Sequence, residues 1–265
     1  MNYYWKLEPY NGTKSRFTCP SCGKKNEYTR YINSEGEYAP IEFGICNRKE
    51  KCGHNRYPNK DQAFTNSEPF KPTPEPPQEY LDWEELKLQI EEDSNLFSYL
   101  SNLLGSEATF KAFERYFVST EGNRTIYPYI DSKNRLTQYK SIEYDTNGHR
   151  TSQALWAAKK GRNLKSGLFG EHLLKNDTIP HIVEGEKTAL ICSIAYPEDT
   201  WLATGGLGMI STAFHIKKAV IYPDKGKAFK EWKAKSPNSW VFDKTVEESS
   251  QLKEGEDLAD LICIC

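Results

Sequence analysis

The spacing of apolar residues changes several times along this chain, and each change predicts a different kind of element. Through the first sixty residues aromatics mix with turn formers, and EYTRYINSEGEYAPIEFG reads as a hairpin with Glu35-Gly36 at its turn. SEPFKPTPEPPQE (67–79) then places five prolines in thirteen residues. That density disfavours helix and ladder pairing alike and predicts a semi-rigid linker. Beyond it DWEELKLQI, NLFSYLSNLL and SEATFKAFERYF read as helices, with Gly105 ending the second and Ser106 capping the third. Phe110, Phe113 and Phe117 recur at three-to-four spacing and are expected in the core. From Thr125 the runs alternate: TIYPYI and LTQYKSIEY, separated by DSKNR and followed by DTNGHR, predict an antiparallel hairpin or meander. After Leu173 short continuous apolar runs take over. PHIV (180–183), TWLA (200–203), AVIY (219–222) and SWVF (239–242) alternate with EKTALICSIAY, LGMISTAF and KAFKEWKAK, which predicts a parallel α/β sheet.

The expected class is therefore α+β with several domains: a ribbon at 1–66, a linker at 67–79, a mixed helical and antiparallel segment at 80–175, and a parallel sheet at 176–265. With 265 residues, 37% of them hydrophobic, the chain can bury real cores. It contains no run of about 18 apolar residues, and MNYYWKLEPY lacks the order of a signal peptide, so a cytoplasmic address without a membrane partner is expected.

A net charge of -2 argues against a protein that coats DNA by charge alone, but charge is unevenly placed. Between Lys133 and Lys165 stand eight Lys/Arg, against Glu143 and Asp145 with Asp131 just before. Lys140, Lys159, Lys160 and Arg162 are accordingly candidate phosphate contacts, the alternative being a merely solvated face. Tyr127, Tyr129, Tyr139, Tyr144 and Trp156 interleave with these cations. They are either stacking platforms for single-stranded bases or the buried side of a sheet.

Four of the seven cysteines form two close pairs, which favours a metal in a reducing compartment over a disulfide framework. Cys19-Pro-Ser-Cys22-Gly is a knuckle whose thiolates can share one ion while the glycine permits the tight turn. The second half, Cys46 to Cys52 followed by Gly53-His54, is looser, and His54 is an alternative fourth ligand. Four thiolates leave no open position, so a Zn²⁺ on Cys19, Cys22, Cys46 and Cys52 would be structural. Cys192 reads as a small buried thiol, whereas Cys263 and Cys265 have no assigned role.

In an open parallel sheet, ligands collect beyond the carboxyl ends of the strands. Here those ends read Glu184-Gly185, Thr204-Gly205-Gly206, Asp224 and Asp243. Acids converging there, with glycines allowing close approach, would suit Mg²⁺ or Mn²⁺ and phosphate. For any one of them alone, a cap or turn role is the plainer reading. No GxxxxGK[ST] loop and no strand-borne GxGxxG occurs, which lowers the case for a P-loop ATPase or a nicotinamide enzyme.

VEGEKTA (183–189), TGG (204–206) and YPDKGKAFKEW (222–232) together resemble the Toprim domain of bacterial-type primases, topoisomerases and related nucleases, in the form found in small primase-like proteins of mobile elements and phages. The resemblance covers about a third of the chain, and zinc ribbon, mixed segment, then Toprim is also the domain order of primases. It implies that Glu184 serves metal and acid/base chemistry and that Asp224 is the first aspartate of an Asp-x-Asp holding Mg²⁺. Gly226 stands where the second belongs, and Asp243, Asp257 or Asp260 would have to replace it. Lys187 and Lys225 lie close enough to contact phosphate. Leu258, Leu261 and Ile262 give the alternative, that Asp257 and Asp260 simply start a terminal helix.

The expected function is a primase-like nucleotidyltransferase using single-stranded DNA and nucleoside triphosphates, with a replicative helicase as a further partner. The alternatives are a non-catalytic DNA-binding protein with a degenerate Toprim domain, and a Toprim nuclease.

Overall fold

The computed structural model describes residues 5–58, 77–157 and 162–264. The linker expected at 67–79 lies mostly outside them, as do Lys159, Lys160 and Cys265. The chain divides into two compact units, Met1–Pro77 and Gln78–Cys265. Among the described residues no helix is long and apolar enough to cross a membrane.

The first unit is an antiparallel ribbon of β1 (Lys6–Leu7), β2 (Tyr28–Ile32), β3 (Gly44–Cys46) and β4 (Asn55–Arg56) in that order, with the short helix α1 (Lys49–Cys52) between the last two strands. The turn expected at Glu35-Gly36 forms there. Asn33 Oδ1 accepts the amides of Glu35 at 3.0 Å and Glu37 at 2.8 Å, and Gly36 takes a positive φ of 84°. The core is small: Cys19, Tyr28 and Cys46 are buried, with Phe17, Cys22 and Cys52 packed on them. Gly44 is required by the Tyr28 ring, because a Cβ there would lie 2.5 Å from Tyr28 Cζ.

The second unit begins with α2 (Asn95–Leu104) and α3 (Ser106–Arg115). Gly105 breaks the helix at a positive φ of 94°, and its own position is the cap of α3, one residue earlier than the expected Ser106. An antiparallel sheet follows, β5 (Ser119–Glu121), β6 (Arg124–Ile130), β7 (Leu136–Glu143) and β8 (Leu155–Trp156), in chain order. One face packs Tyr127, Tyr129, Ile142 and Tyr144 against α2, α3 and the parallel sheet beyond. The other packs Ile126, Ile130 and Leu136 under Leu81 and Leu86.

That second cover corrects the first expected helix. DWEELKLQI forms only a 3₁₀ turn at Trp83–Glu85, closed by a capping box between Asp82 and Glu85, and then runs extended. The Thr120 amide donates to the Gln89 carbonyl at 2.8 Å, so the segment lies along β5. Leu86, Leu88 and Ile90 alternate with polar residues at a strand's period of two, a signal that outweighs the helix-forming composition. Phe117 is a second correction. It follows α3 at a positive φ of 55° and is 42% exposed, while Phe113 is fully buried.

The parallel sheet contains β9 (His181–Val183), α4 (Glu186–Ala195), β10 (Trp201–Ala203), a 3₁₀ segment (Leu207–Ala213), β11 (Val220–Tyr222), α5 (Lys227–Lys235) and β12 (Val241–Phe242), in strand order β10-β9-β11-β12. Helices α6 (Thr245–Glu248) and α7 (Leu258–Ile264) complete the chain. β9 and β10 are covered on both faces, which is why they read as unbroken apolar runs, whereas Val241 on the edge strand β12 is exposed. Val183, Trp201 and Ala203 face α4 and α7, whereas Ile182, Leu202 and Ile221 face the 3₁₀ segment and Trp232 of α5.

Candidate functional site

In the order β10-β9-β11-β12 the chain leaves β9 first to one side and then to the other, so the switch point lies between β9 and β11. Glu184 directly follows β9 and Asp224 lies two residues past β11, so the two acids flank that crevice. A cavity of about 230 Å³ opens there, lined by Glu184, Glu186, Asp224 and Asp257 with Lys140, Arg150, Lys187, Thr188 and the Gly205-Gly206 turn.

Asp257 enters from the start of α7. Its Oδ2 accepts the Thr188 hydroxyl at 2.5 Å and its Oδ1 the Ala259 amide at 2.7 Å, so it is both helix cap and cavity wall. Burial raises the Asp257 carboxyl above its ordinary range, with Asp260 adding to the effect and Thr188 opposing it. Burial also raises Glu184, against the pull of the Leu207 amide and with the repulsion of Asp257. Asp224 shifts furthest, to about 8, through burial first and then the charges of Glu184, Asp257 and Asp260. Of the three carboxylates only Glu184 feels a cation, Lys140, and burial outweighs its pull.

Among the described residues that line the cavity, the one buried cation is already engaged. Lys140, 5% exposed on β7, donates to both oxygens of Glu186 at 2.8 and 3.1 Å and to the Gly205 carbonyl at 2.9 Å. The Tyr129 hydroxyl donates to the same Glu186, which is only 3% exposed. Gly205 is obligatory, since its φ is 86° and a Cβ would collide with the Tyr129 hydroxyl. Lys187 donates to the Gly148 carbonyl at 3.0 Å, and Arg150 is exposed at the rim.

The other expected residues lie elsewhere. Asp243 follows the edge strand β12 and its Oδ1 caps the Thr245 amide at 2.8 Å, outside the cavity. Lys225 donates to the carbonyls of Ser249 and Leu252, holding the loop that leads to Asp257. Arg162 pairs with Glu85 at 3.1 Å and Glu79 at 3.3 Å. Gly226 takes a φ of 86°, and a Cβ there would lie 2.8 Å from Glu254 Cγ, so an acid at that position would strain the backbone and have to displace the exposed Glu254 side chain. Tyr129 takes the buried side of the sheet rather than a stacking role, Arg150 is one of the eight cations counted between Lys133 and Lys165, and Glu186 is the cavity residue that the sequence does not single out. Glu186 reads in sequence as an ordinary first-turn helix residue, and only its burial gives it away.

Among the described residues, one cluster of potential metal ligands comes within 4.8 Å of one another: Cys19, Cys22, Cys46 and Cys52. His54 is not a member of that cluster, and its Nε2 lies 3.0 Å from the Glu42 carbonyl. Four sulfurs, two of them fully buried, are the donor set of a structural zinc site. The carboxylates are farther apart than that.

The chain thus combines a zinc ribbon with an α+β unit whose parallel sheet carries an acid-lined cavity at its switch point. Residues 3–68 match the family model of a zinc beta-ribbon finger, and residues 94–225 that of a domain of unknown function, DUF6371. No curated protein matches the chain. Among solved structures it is similar to the primase fragment of the bacteriophage T7 primase-helicase (TM-score 0.41, 15% identity, covering 86% of this chain and 88% of that one). It is also similar to a DnaG primase catalytic domain solved bound to ssDNA (0.44, 14%, covering 64% and 69%). A third is the RNA polymerase domain of Mycobacterium tuberculosis DnaG (0.41, 13%, covering 66% and 74%).

Proposed function

We propose that this chain is a primase-like nucleic-acid protein of the Toprim type, whose cavity at the sheet's switch point performs divalent-metal-dependent nucleotidyl transfer on a single-stranded DNA template. The observation that carries the reading is the convergence of Glu184, Asp224 and Asp257, from three separate elements, on one cavity with Arg150 and Lys187 at its rim. An acid floor on which burial outweighs the pull of Lys140 fits a hard cation, and a basic rim fits the phosphates that accompany one.

Glu184, Asp224 and Asp257 would hold Mg²⁺ or Mn²⁺, which when bound neutralises phosphate charge developing in transfer. The protein's own groups do the rest. Arg150 and Lys187 orient the triphosphate, which lowers the entropic part of the barrier. Glu184, its pKa raised by burial, would take the proton of the attacking 3′-hydroxyl. Lys140 cannot reach a phosphate without abandoning Glu186, so its part is to fix the Gly205-Gly206 turn beside Glu184.

The zinc ribbon would contribute to strand binding, and a helicase partner and a role in replicating a mobile element follow from the Toprim resemblance alone. A second reading rests on Gly226: with Glu254 filling the space beside it, the site lacks the second aspartate of the resemblance, which favours a non-catalytic strand-binding protein.

Incubating the protein with single-stranded DNA, Mg²⁺ or Mn²⁺ and labelled nucleoside triphosphates separates the two. Short products that fall at least about a hundredfold in Glu184→Gln and Asp224→Asn are expected. Absence of products from the wild type, with strand binding intact, would replace the first reading by the second.

A further inference from the structure

Of the five aromatics that interleave with cations between residues 127 and 156, the sheet buries Tyr127, Tyr129 and Tyr144 and packs Tyr139 against the core on its other face. Trp156 remains, 36% exposed, on the two-residue edge strand β8. In register it is the partner of Lys140. Side chains of paired residues share a face of the sheet, about 5 Å apart. The face in question is the one whose Lys140, Ile142 and Tyr144 line the acid cavity. The indole therefore stands next to the cavity, outside its lining and one side chain away across Lys140, while its strand also borders a second cavity beside Leu86, Ile126 and Tyr139.

Its support is built in. The Tyr129 ring lies against it at 5.4 Å between centroids, and the Lys140 ammonium lies 5.3 Å from its ring. Both are themselves fixed by Glu186, so little side-chain freedom is left to lose when a ligand settles on the exposed part of the ring.

We propose that Trp156 is a base-stacking platform for the nucleotide whose phosphates reach the rim of the acid cavity at Arg150 and Lys187. Every nucleobase offers a π-face, so the platform accepts bases with little sequence preference, whether carried by a strand or by a free nucleotide. The choice of a nucleotide ligand rests on the function proposed above.

Binding of a fluorescent twenty-residue oligo-dT, an abasic oligomer of equal length and a nucleoside triphosphate to wild-type protein, Trp156→Ala, Trp156→Phe and Trp156→Leu tests it. Alanine and leucine should weaken oligo-dT or nucleotide binding about tenfold or more, phenylalanine only slightly, with abasic binding unchanged. Loss with the oligomer identifies a stacked strand base, and loss with the triphosphate an incoming nucleotide. Leucine keeps the apolar bulk, so it controls for folding at this edge position. Equal affinity in all four proteins, equal losses for abasic and oligo-dT ligands, or no wild-type binding of either base-bearing ligand would each overturn the platform. The acid site is scored separately: product formation that survives Glu184→Gln removes the catalytic reading while leaving the binding result standing.

Discussion

Lys140 and Glu186 show what a buried ion pair demands. Taking both charges out of water costs several kcal/mol each, and their attraction offsets this only because every remaining polar atom is satisfied, by the Gly205 carbonyl on one side and Tyr129 on the other. Removing one partner is then far worse than removing both. Lys140→Met should destabilise the second unit by roughly 3–5 kcal/mol, because it leaves a carboxylate buried beside three others. Lys140→Met combined with Glu186→Leu should recover most of that loss. Urea denaturation of the two variants and the wild type measures the difference, and a double variant as unstable as the single one would show that the pair is not the cause. At this scale the sequence was least informative. Lys140 was legible as a candidate phosphate contact in a basic segment, but its burial was not, because nothing local distinguishes it from the exposed Lys133.

Elements were more legible than contacts, for identifiable reasons. Unbroken runs such as HIV and WLA declared strands buried on both faces, and the glycine at 105 declared a break between helices. The Leu86, Leu88, Ile90 alternation was overridden by the good helix formers around it, which is how an extended segment beside β5 came to be expected as a helix. The ribbon was legible because thiolate spacing is a strict constraint. Its hydrophobic core is small, so the metal must supply the stability that burial cannot. One zinc per chain is expected, released on chelation and absent from Cys46→Ser. Hydrogen exchange should then lose protection at Tyr28–Ile32 and Gly44–Cys46 while β6, β7 and β9 keep theirs. Unchanged ribbon protection after zinc loss would mean that the strands hold without the ion.

For the molecule as a whole, the acid cavity makes stability a function of pH and, on the function proposed above, of divalent cations as well. The Asp224 carboxyl is held at about 8 in the folded state, while an unfolded aspartate titrates near 3.8. Between those values the native state binds more protons than the unfolded one, so stability contributed by this group is present at low pH and is lost as pH rises toward 8. The loss is on the order of a few kcal/mol and rests chiefly on burial, with Glu184, Asp257 and Asp260 adding repulsion. A divalent cation held by these carboxylates reverses the preference by favouring their charged forms. Without added Mg²⁺ or Mn²⁺, the melting temperature of the second unit should therefore fall between pH 5 and pH 8. Millimolar Mn²⁺ should raise it at pH 8 and have little effect at pH 5, where protons compete for the same oxygens. Asp224→Asn, neutral throughout, should flatten the metal-free profile and lose most of the Mn²⁺ response, and calorimetric scans at the two pH values, with and without the ion, read both effects. A wild-type protein whose Mn²⁺ stabilisation is equal at pH 5 and pH 8, or is retained in Asp224→Asn, would place the ion on other groups and leave the cavity's acids without their proposed countercharge.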